Sequence, residues 1–440
     1  MTIAQPVDIV TCLEDLGRSL AALGRSERGA TLASLEQAVL AQVRDALPDL
    51  LGAVLRLSTP GLDGRHAPLR ETCPTCGVRV RAQSWRPRRM RTICGEITME
   101  RPWYVCRGCH QGWAPADAVL GIVRHGRLSA GVDAWVVRLG AATDFREAVV
   151  LLEALTGLAL APETVRQHTE QAGAALVARE EADAIDVERT RAPAGPVDAA
   201  PGLILVEADG VHLRYLDGWH EVKIGLAAGC IDGAVISPTY VAVRADATTF
   251  GPRLLATAAR RGALDVQAWQ GGLWGTALAI LRPVVILGDG APWIWALAAE
   301  HFGDRTEIID FFHAAEHLSA LAHALHGPDA SAAAATSWRH ILLDEGPDAL
   351  LALWQSIHAP ADAVDILRQT RGYFRTNASR MRYAQFRAAG LPIGSGPIES
   401  AAKHLVQLRL KRPGARWSHD GAAALLALRA RDASTLPLAA

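Results

Sequence analysis

This chain lacks most of the features that would take it outside ordinary globular proteins. No stretch reaches the roughly 18 uncharged apolar residues of a membrane-spanning helix, and the opening MTIAQPVDIVTCLEDLGRSL has no basic start followed by an apolar block. Neither secretion nor membrane insertion is expected, and a cytoplasmic location is. Net charge is nearly absent: 45 Lys and Arg oppose 46 Asp and Glu, which argues against a uniformly basic nucleic-acid binder. Cysteine is sparse as well. Seven in 440 residues do not make a disulfide framework in a reducing compartment, and four of them fall in two C-x-x-C pairs, so metal is the better reading. No fixed-period repeat is visible. What remains, 50% hydrophobic and 21% charged, describes a soluble protein of roughly two to four domains with substantial cores.

The charge that is present is clustered. Arg79, Arg81, Arg86, Arg88, Arg89 and Arg91 are uninterrupted by any acid; Arg371 to Arg387 form a second basic run, and Arg409, Lys411, Arg412 and Arg416 a third. Each alone reads as a solvated face, but three together point to a polyanion. A separate short signal is His313-Ala-Ala-Glu316-His317, which has the H-x-x-E-H spacing of the inverted zinc-protease motif. Four residues apart on a helix, the two imidazoles share a face and permit a metal.

Along the chain, residues 12 to 56 carry apolar positions at three- and four-residue spacing, hence amphipathic helices that cover another element. The segment STPGLDGRHAP reads as a linker. Cys73-x-x-Cys76 and Cys106-x-x-Cys109 then flank an alternating segment, GEITMERPWYV, as in a zinc ribbon closed by four thiolates. Cys94, between them, reads as a buried thiol. Further on, a helix ends near Gly157 and Pro162 opens another, the outline of a helix-turn-helix with Glu163 to Gln171 as recognition helix and Thr164, Arg166, Gln167 and Gln171 facing DNA. A plain helical hairpin fits the same pattern.

After VERTRAPAGPVDAAPG, read as a domain boundary, the character changes to α/β. GLILVEADG and RPVVILGDG are apolar strands that place Asp209 and Asp289 at their carboxyl ends before glycine, where such sheets present functional groups; Asp-Gly is equally good turn chemistry. WHEVKIGLAAGC and SPTYVAVRA are further strands. In LPIGSGPIESAAKHLVQLRLKRPGARWS, Pro397 suits a first helical turn, Glu399 stands early on a helix running through Leu410, and Lys403, His404, Arg409 and Lys411 follow.

Asp209, Asp289 and Glu399 together resemble the DDE triad of RNase H-like transposases. With VEADG, GDGAPWIW, DFFHAAEHL and the long C-terminal block behind a zinc ribbon, the chain resembles bacterial insertion-sequence transposases of the ISKra type, related to the Mutator-like group, over about residues 70 to 430. The resemblance implies that Asp310-Phe-Phe-His313 is the family's C/D-x-x-H element, with Asp310 and His313 supporting the active site, and this competes directly with the protease reading.

Together with the residue patterns above, this divides the chain into a helical region at 1–60, a zinc ribbon at 61–118, a helical region with the candidate helix-turn-helix at 119–185, a linker at 186–202, an RNase H-like domain at 203–432 with an all-helical insertion at about 318–390, and a tail at 433–440. Mg²⁺ or Mn²⁺ on the three acids would serve strand cleavage and transfer, with structural Zn²⁺ on the cysteines. DNA, both element ends and target, is the expected partner of a homo-oligomer. Arg86, Arg88, Arg89, Arg166, Gln167, Lys403, Arg409, Lys411 and Arg412 are its expected contacts, and Trp293, Trp295 and Trp417 candidates for stacking, core packing being favoured for Trp295. A transposase-derived DNA-binding regulator and a structure-specific nuclease are the alternatives.

Overall fold

The computed structural model describes residues 8–27, 29–62, 70–123, 125–198, 202–265, 280–281 and 284–434. Parts of the expected linkers (63–69 and 199–201) and most of the tail (435–440) lie outside the described residues. The chain is mixed α/β and divides into two compact units, Met1–Thr169 and Glu170–Ala440. No described helix is long and apolar enough to cross a membrane.

In the first unit, helices Ile9–Ser26 and Leu32–Ser58 start at Asp8 and Thr31, whose side chains accept the N–H groups of Thr11 and Ser34. The second helix does cover another element: Leu51 and Leu55 pack on Met90, Ile97 and Met99 of the hairpin Ala82–Thr92/Gly95–Val105. Gly95, at φ +103°, closes this hairpin so tightly on the helix that a Cβ would stand 2.7 Å from Pro48 Cγ. Cys94 lies half-buried at the same turn, at the opposite end of the hairpin from the cysteine pairs.

The helical outline read from Gly157 and Pro162 holds. Helix Phe145–Thr156 ends on Gly157 in the left-handed region, and Val132, Val136, Ala148, Leu152, Leu158, Leu160 and Val165 form one core with the preceding helix Ala130–Ala142. The proposed recognition helix, however, is only the start of a 29-residue helix, Pro162–Thr190. It runs past residue 185 into the expected linker and through the boundary between the units. The residues from Ala175 onward explain this, since ALVAREEADAIDVERT holds strong helix formers and neither Gly nor Pro, and the one Gly before it, Gly173, is tolerated inside the helix.

The second unit is built on a five-stranded sheet: β1 Leu203–Tyr215, β2 Gly218–Ile231, β3 Ala234–Val243, β4 Val284–Gly288 and β5 Arg305–Ile309, in the order β5-β4-β1-β2-β3. The first three are antiparallel; β4 and β5 run parallel to β1. Phe250 and Leu254 of helix Ala247–Arg260 cover Gly225 on one face. Helix Gly396–Ala401 reaches Glu207 on the other, and helix His419–Ala433 packs on β3.

Between β5 and residue 396 every described element is helical, beginning with Phe311–Asp344, which is broken at Gly327-Pro328, and continuing through Pro347–Gln355 and Val364–Asn377. The stretch expected to be all-helical at about 318–390 lies within this run, whose first helix starts at Phe311.

Candidate functional site

Chemically active side chains named from the sequence lie in two places, one in each unit. In the first, the knuckle backbones fold identically: Cys73 N–H donates to Val78 O and Cys106 N–H to Gln111 O, each at 2.9 Å. This turns the four thiols inward, with Cys73 and Cys109 sulfurs 3.6 Å apart and those of Cys76 and Cys106 3.4 Å apart. A tetrahedral site with Zn–S bonds of about 2.3 Å needs sulfurs roughly 3.8 Å apart, so the cluster could hold a structural zinc. Burial works against ionising Cys73, but the backbone N–H groups of Thr75 and Cys76 and the neighbouring thiols bring it down to about 6.

In the second unit the register of parallel strands does the assembling. Leu287 pairs with Glu207, so two residues further on Asp289 comes beside Asp209; Gly288 pairs with Ile309, which sets Asp289 beside Asp310. Three acids thus form a row across β1, β4 and β5. Asp289 stands just past β4 as expected, accepting Ala291 N–H at 2.9 Å, and Gly290 takes φ +100° against the ring of Tyr373. Asp209 differs from expectation. It lies inside β1, which continues to Tyr215, and Gly210 is no turn glycine: a Cβ there would meet the Glu221 carboxylate at 2.0 Å.

Glu399 completes the group from above the sheet. Its helix starts at Gly396 with Pro397 in the first turn, and residues 402–407 widen into a π-helical segment, a local irregularity frequent at functional sites. Ser395 Oγ lies 2.8 Å from Asp310 Oδ2 and 3.3 Å from Glu399 Oε1, linking the two acids. Burial raises the pKa of Asp209, the Gly210 N–H opposes this, and the charges of Asp289, Glu399 and Glu221 raise it further.

Glu207 escaped the sequence reading. It is fully buried two residues before Asp209, hence on the same face; its Oε2 accepts Ile398 N–H at 2.9 Å and its Oε1 has no hydrogen-bond partner. A lone acid inside the apolar run LILVEADG was the available signal. Burial, opposed by the Ile398 N–H and reinforced by Asp310 and Glu399, pushes its pKa up to about 8. Folded protein therefore keeps a proton that the unfolded chain releases above its ordinary value of 4.5. The associated stability is complete below that value and is lost as pH rises towards 8, by about 1.4 kcal/mol per pH unit. Glu207→Gln retains an acceptor for Ile398. In magnesium-free urea titrations its midpoint should change less between about pH 5 and 8 than that of the unaltered chain; equal slopes would contradict the buried proton.

The H-x-x-E-H segment begins the long helix after β5. Asp310 caps it, accepting Phe312 N–H at 3.0 Å, while His317 stacks on Tyr373 at 4.2 Å and His313 Nδ1 lies 3.7 Å from Glu316. Tyr373 OH in turn donates to Asp289 O at 3.1 Å. Among the described residues, the groups of three or more ligand atoms within 4.8 Å of one another include neither His313, Glu316 and His317 nor Asp209, Asp289 and Glu399.

Several expected contact residues are engaged within the chain. Arg88 donates to Val123 O and Gly126 O, and Arg166 and Gln167 both bind Glu163. Arg409 is buried, 5.1 Å over the Trp417 ring, and Trp417 itself is buried with its indole N–H on Leu410 O. Trp295 is buried as favoured, under Arg380, whereas Trp293 is half-buried beside Lys223. Arg86, Arg89, Lys403, Lys411 and Arg412 are exposed.

The model of a family described only as an uncharacterised protein family (UPF0236) matches residues 76–224. The likeness is to that family, over about a third of the chain. The matched stretch takes in three of the four clustered cysteines and Asp209 but stops before Asp289 and Glu399. No curated protein matches the chain.

Proposed function

We propose that this chain is a DDE-type DNA transposase: its second unit is an RNase H-like core that cleaves and joins DNA strands, and its first unit helps recognise element ends. The observation that carries the reading is the register that brings Asp209 beside Asp289 and Asp289 beside Asp310, with Glu399 joined to Asp310 through Ser395. A sheet of three antiparallel strands extended by two parallel ones, with a helical insertion before the Glu399 helix, supports the same assignment.

The donor set fits hard divalent cations, because every donor is a carboxylate oxygen and their mutual repulsion favours a positive charge among them. Asp209, Asp289 and Glu399 are the residues that would hold Mg²⁺, and when bound the metal would stabilise the attacking and leaving oxygens of an in-line displacement at phosphorus. The chain's own part is positioning. Asp310 holds Glu399 through Ser395, and Glu207 ties down the backbone of the helix that carries it. Exposed Lys403, Lys411 and Arg412 follow on the same segment, suited to phosphates.

The test is to incubate the purified chain with labelled DNA carrying the sequences that flank its gene, plus Mg²⁺. New 3′-OH ends and joined products are expected, and their absence across both flanks with Mg²⁺ and Mn²⁺ would reject the proposal.

For the first unit, Arg86→Ala with Arg89→Ala should weaken binding of specific and random DNA alike and flatten its salt dependence by roughly one unit per lost contact. Arg88→Ala should act chiefly through stability, since that side chain is spent on Val123 and Gly126. An unchanged salt slope in the double variant would make the run a solvated surface.

A further inference from the structure

A third constellation stands apart from the acidic row and the cysteine cluster, and no sequence motif announced it. At the turn between β1 and β2, Asp217 faces His220 of β2 and His419, the first residue of the last helix. Asp217 Oδ1 lies 3.1 Å from His220 Nε2, and Oδ2 lies 3.0 Å from His419 Nε2. The rings are held by Tyr215, which stacks on His419 at 5.0 Å and meets His220 edge-on at 5.4 Å. His220 Nε2 is shielded from solvent and, at 3.1 Å from Asp217, makes no properly aligned hydrogen bond.

We propose that Asp217, His220 and His419 form a second metal site, which binds Zn²⁺ and fastens the β1–β2 turn to the start of the last helix. Two imidazole nitrogens and one carboxylate within 4.8 Å suit Zn²⁺ rather than Mg²⁺ or Ca²⁺, and leave a fourth position for water. The clamp closes a segment already anchored at both ends: Trp417 donates to Leu410 O and accepts Leu216 N–H, so the exposed basic residues Lys411, Arg412 and Arg416 form a loop whose base is the site. Arg244 Nη2 lies 3.3 Å from His220 Nδ1, which must carry the proton once Nε2 binds metal. Arg244 is exposed, so loading would turn it away. The site does not depend on the transposase reading.

The test compares the full chain with His220→Gln and His419→Gln after equilibration with Zn²⁺ and removal of the excess. Both imidazoles are partly exposed, so the variants should fold, which circular dichroism checks. Elemental analysis should find one zinc fewer per chain in each variant, with the cysteine-bound zinc retained, and added Zn²⁺ should raise the melting temperature of the unaltered chain by more than that of either variant. Arg244→Gln, which offers an acceptor to Nδ1–H, should bind Zn²⁺ about tenfold more tightly. Equal zinc content and equal thermal shifts in the unaltered chain and both His variants would overturn the site, and so would weaker zinc binding by Arg244→Gln.

Discussion

Asp289→Asn is expected to bind element-end DNA like the unaltered chain and to lose at least about a thousandfold in strand cleavage, about 4 kcal/mol on the barrier. Its fold should persist. The Asp289 oxygen that accepts Ala291 N–H can be an amide oxygen, and the same holds for Asp209, which accepts Gly210 N–H, and for Glu399, which accepts from Ser395. What disappears in each case is one negative charge from a site whose acids already repel one another. Asp209→Asn and Glu399→Gln should therefore behave alike, binding without cleaving. Glu316→Gln is the contrast. Exposed on its helix beside His313, Glu316 should be dispensable to within a factor of about two, whereas a zinc protease would need it as general base. The measurements are product yields on labelled DNA and, separately, on casein. Cleavage at the unaltered rate by Asp289→Asn, or casein hydrolysis that vanishes with Glu316→Gln, would overturn the proposed chemistry.

The second large effect is on stability. Cys106 is fully buried at the start of its knuckle, and Cys106→Ser is expected to release the zinc and unfold the surrounding ribbon. Structural zinc contributes roughly 10–16 kcal/mol in small zinc-dependent domains. That equals or exceeds the net stability of about 5–15 kcal/mol available to a typical domain. Tyr104 and Trp113, stacked at 5.5 Å beside the cluster, supply the optical probe. Loss of their near-ultraviolet dichroism should accompany loss of one zinc per chain, while the five-stranded sheet of the second unit keeps its far-ultraviolet signal. Specific DNA binding should fall with the ribbon. A Cys106→Ser protein that retains its zinc and its aromatic signal would reject a structural role for the cluster.

The local features were legible in the residues themselves. Thiols at C-x-x-C spacing, a glycine ending one helix and a proline opening the next, and alternating apolar strands each depend on interactions within a few residues, and the structure places them where they were read. Features that depend on strands or helices distant in sequence were read less well. Asp209-Gly210 and Asp289-Gly290 are the same dipeptide after similar apolar runs, yet one lies inside a strand and the other in a turn. The difference is that β1 has a partner, β2, along its whole length, whereas β4 ends at Gly288. No local pattern encodes that.

The side chains around the acids divide in the same way. The sequence by itself determined that Asp209, Asp289 and Glu399 exist on elements able to present them, and that Asp310 opens a helix. Only tertiary structure decided that Glu207 lies under the backbone of Ile398, that Ser395 links Asp310 to Glu399, and that Arg88 and Arg409 are engaged within the chain. It also decided that Asp217 and His419, 202 residues apart, share a hydrogen bond. Spacing along the chain reports which side chains share a face over a few residues, because backbone periodicity is local; which faces meet depends on strand register and helix packing, and these are set by the burial of the whole core.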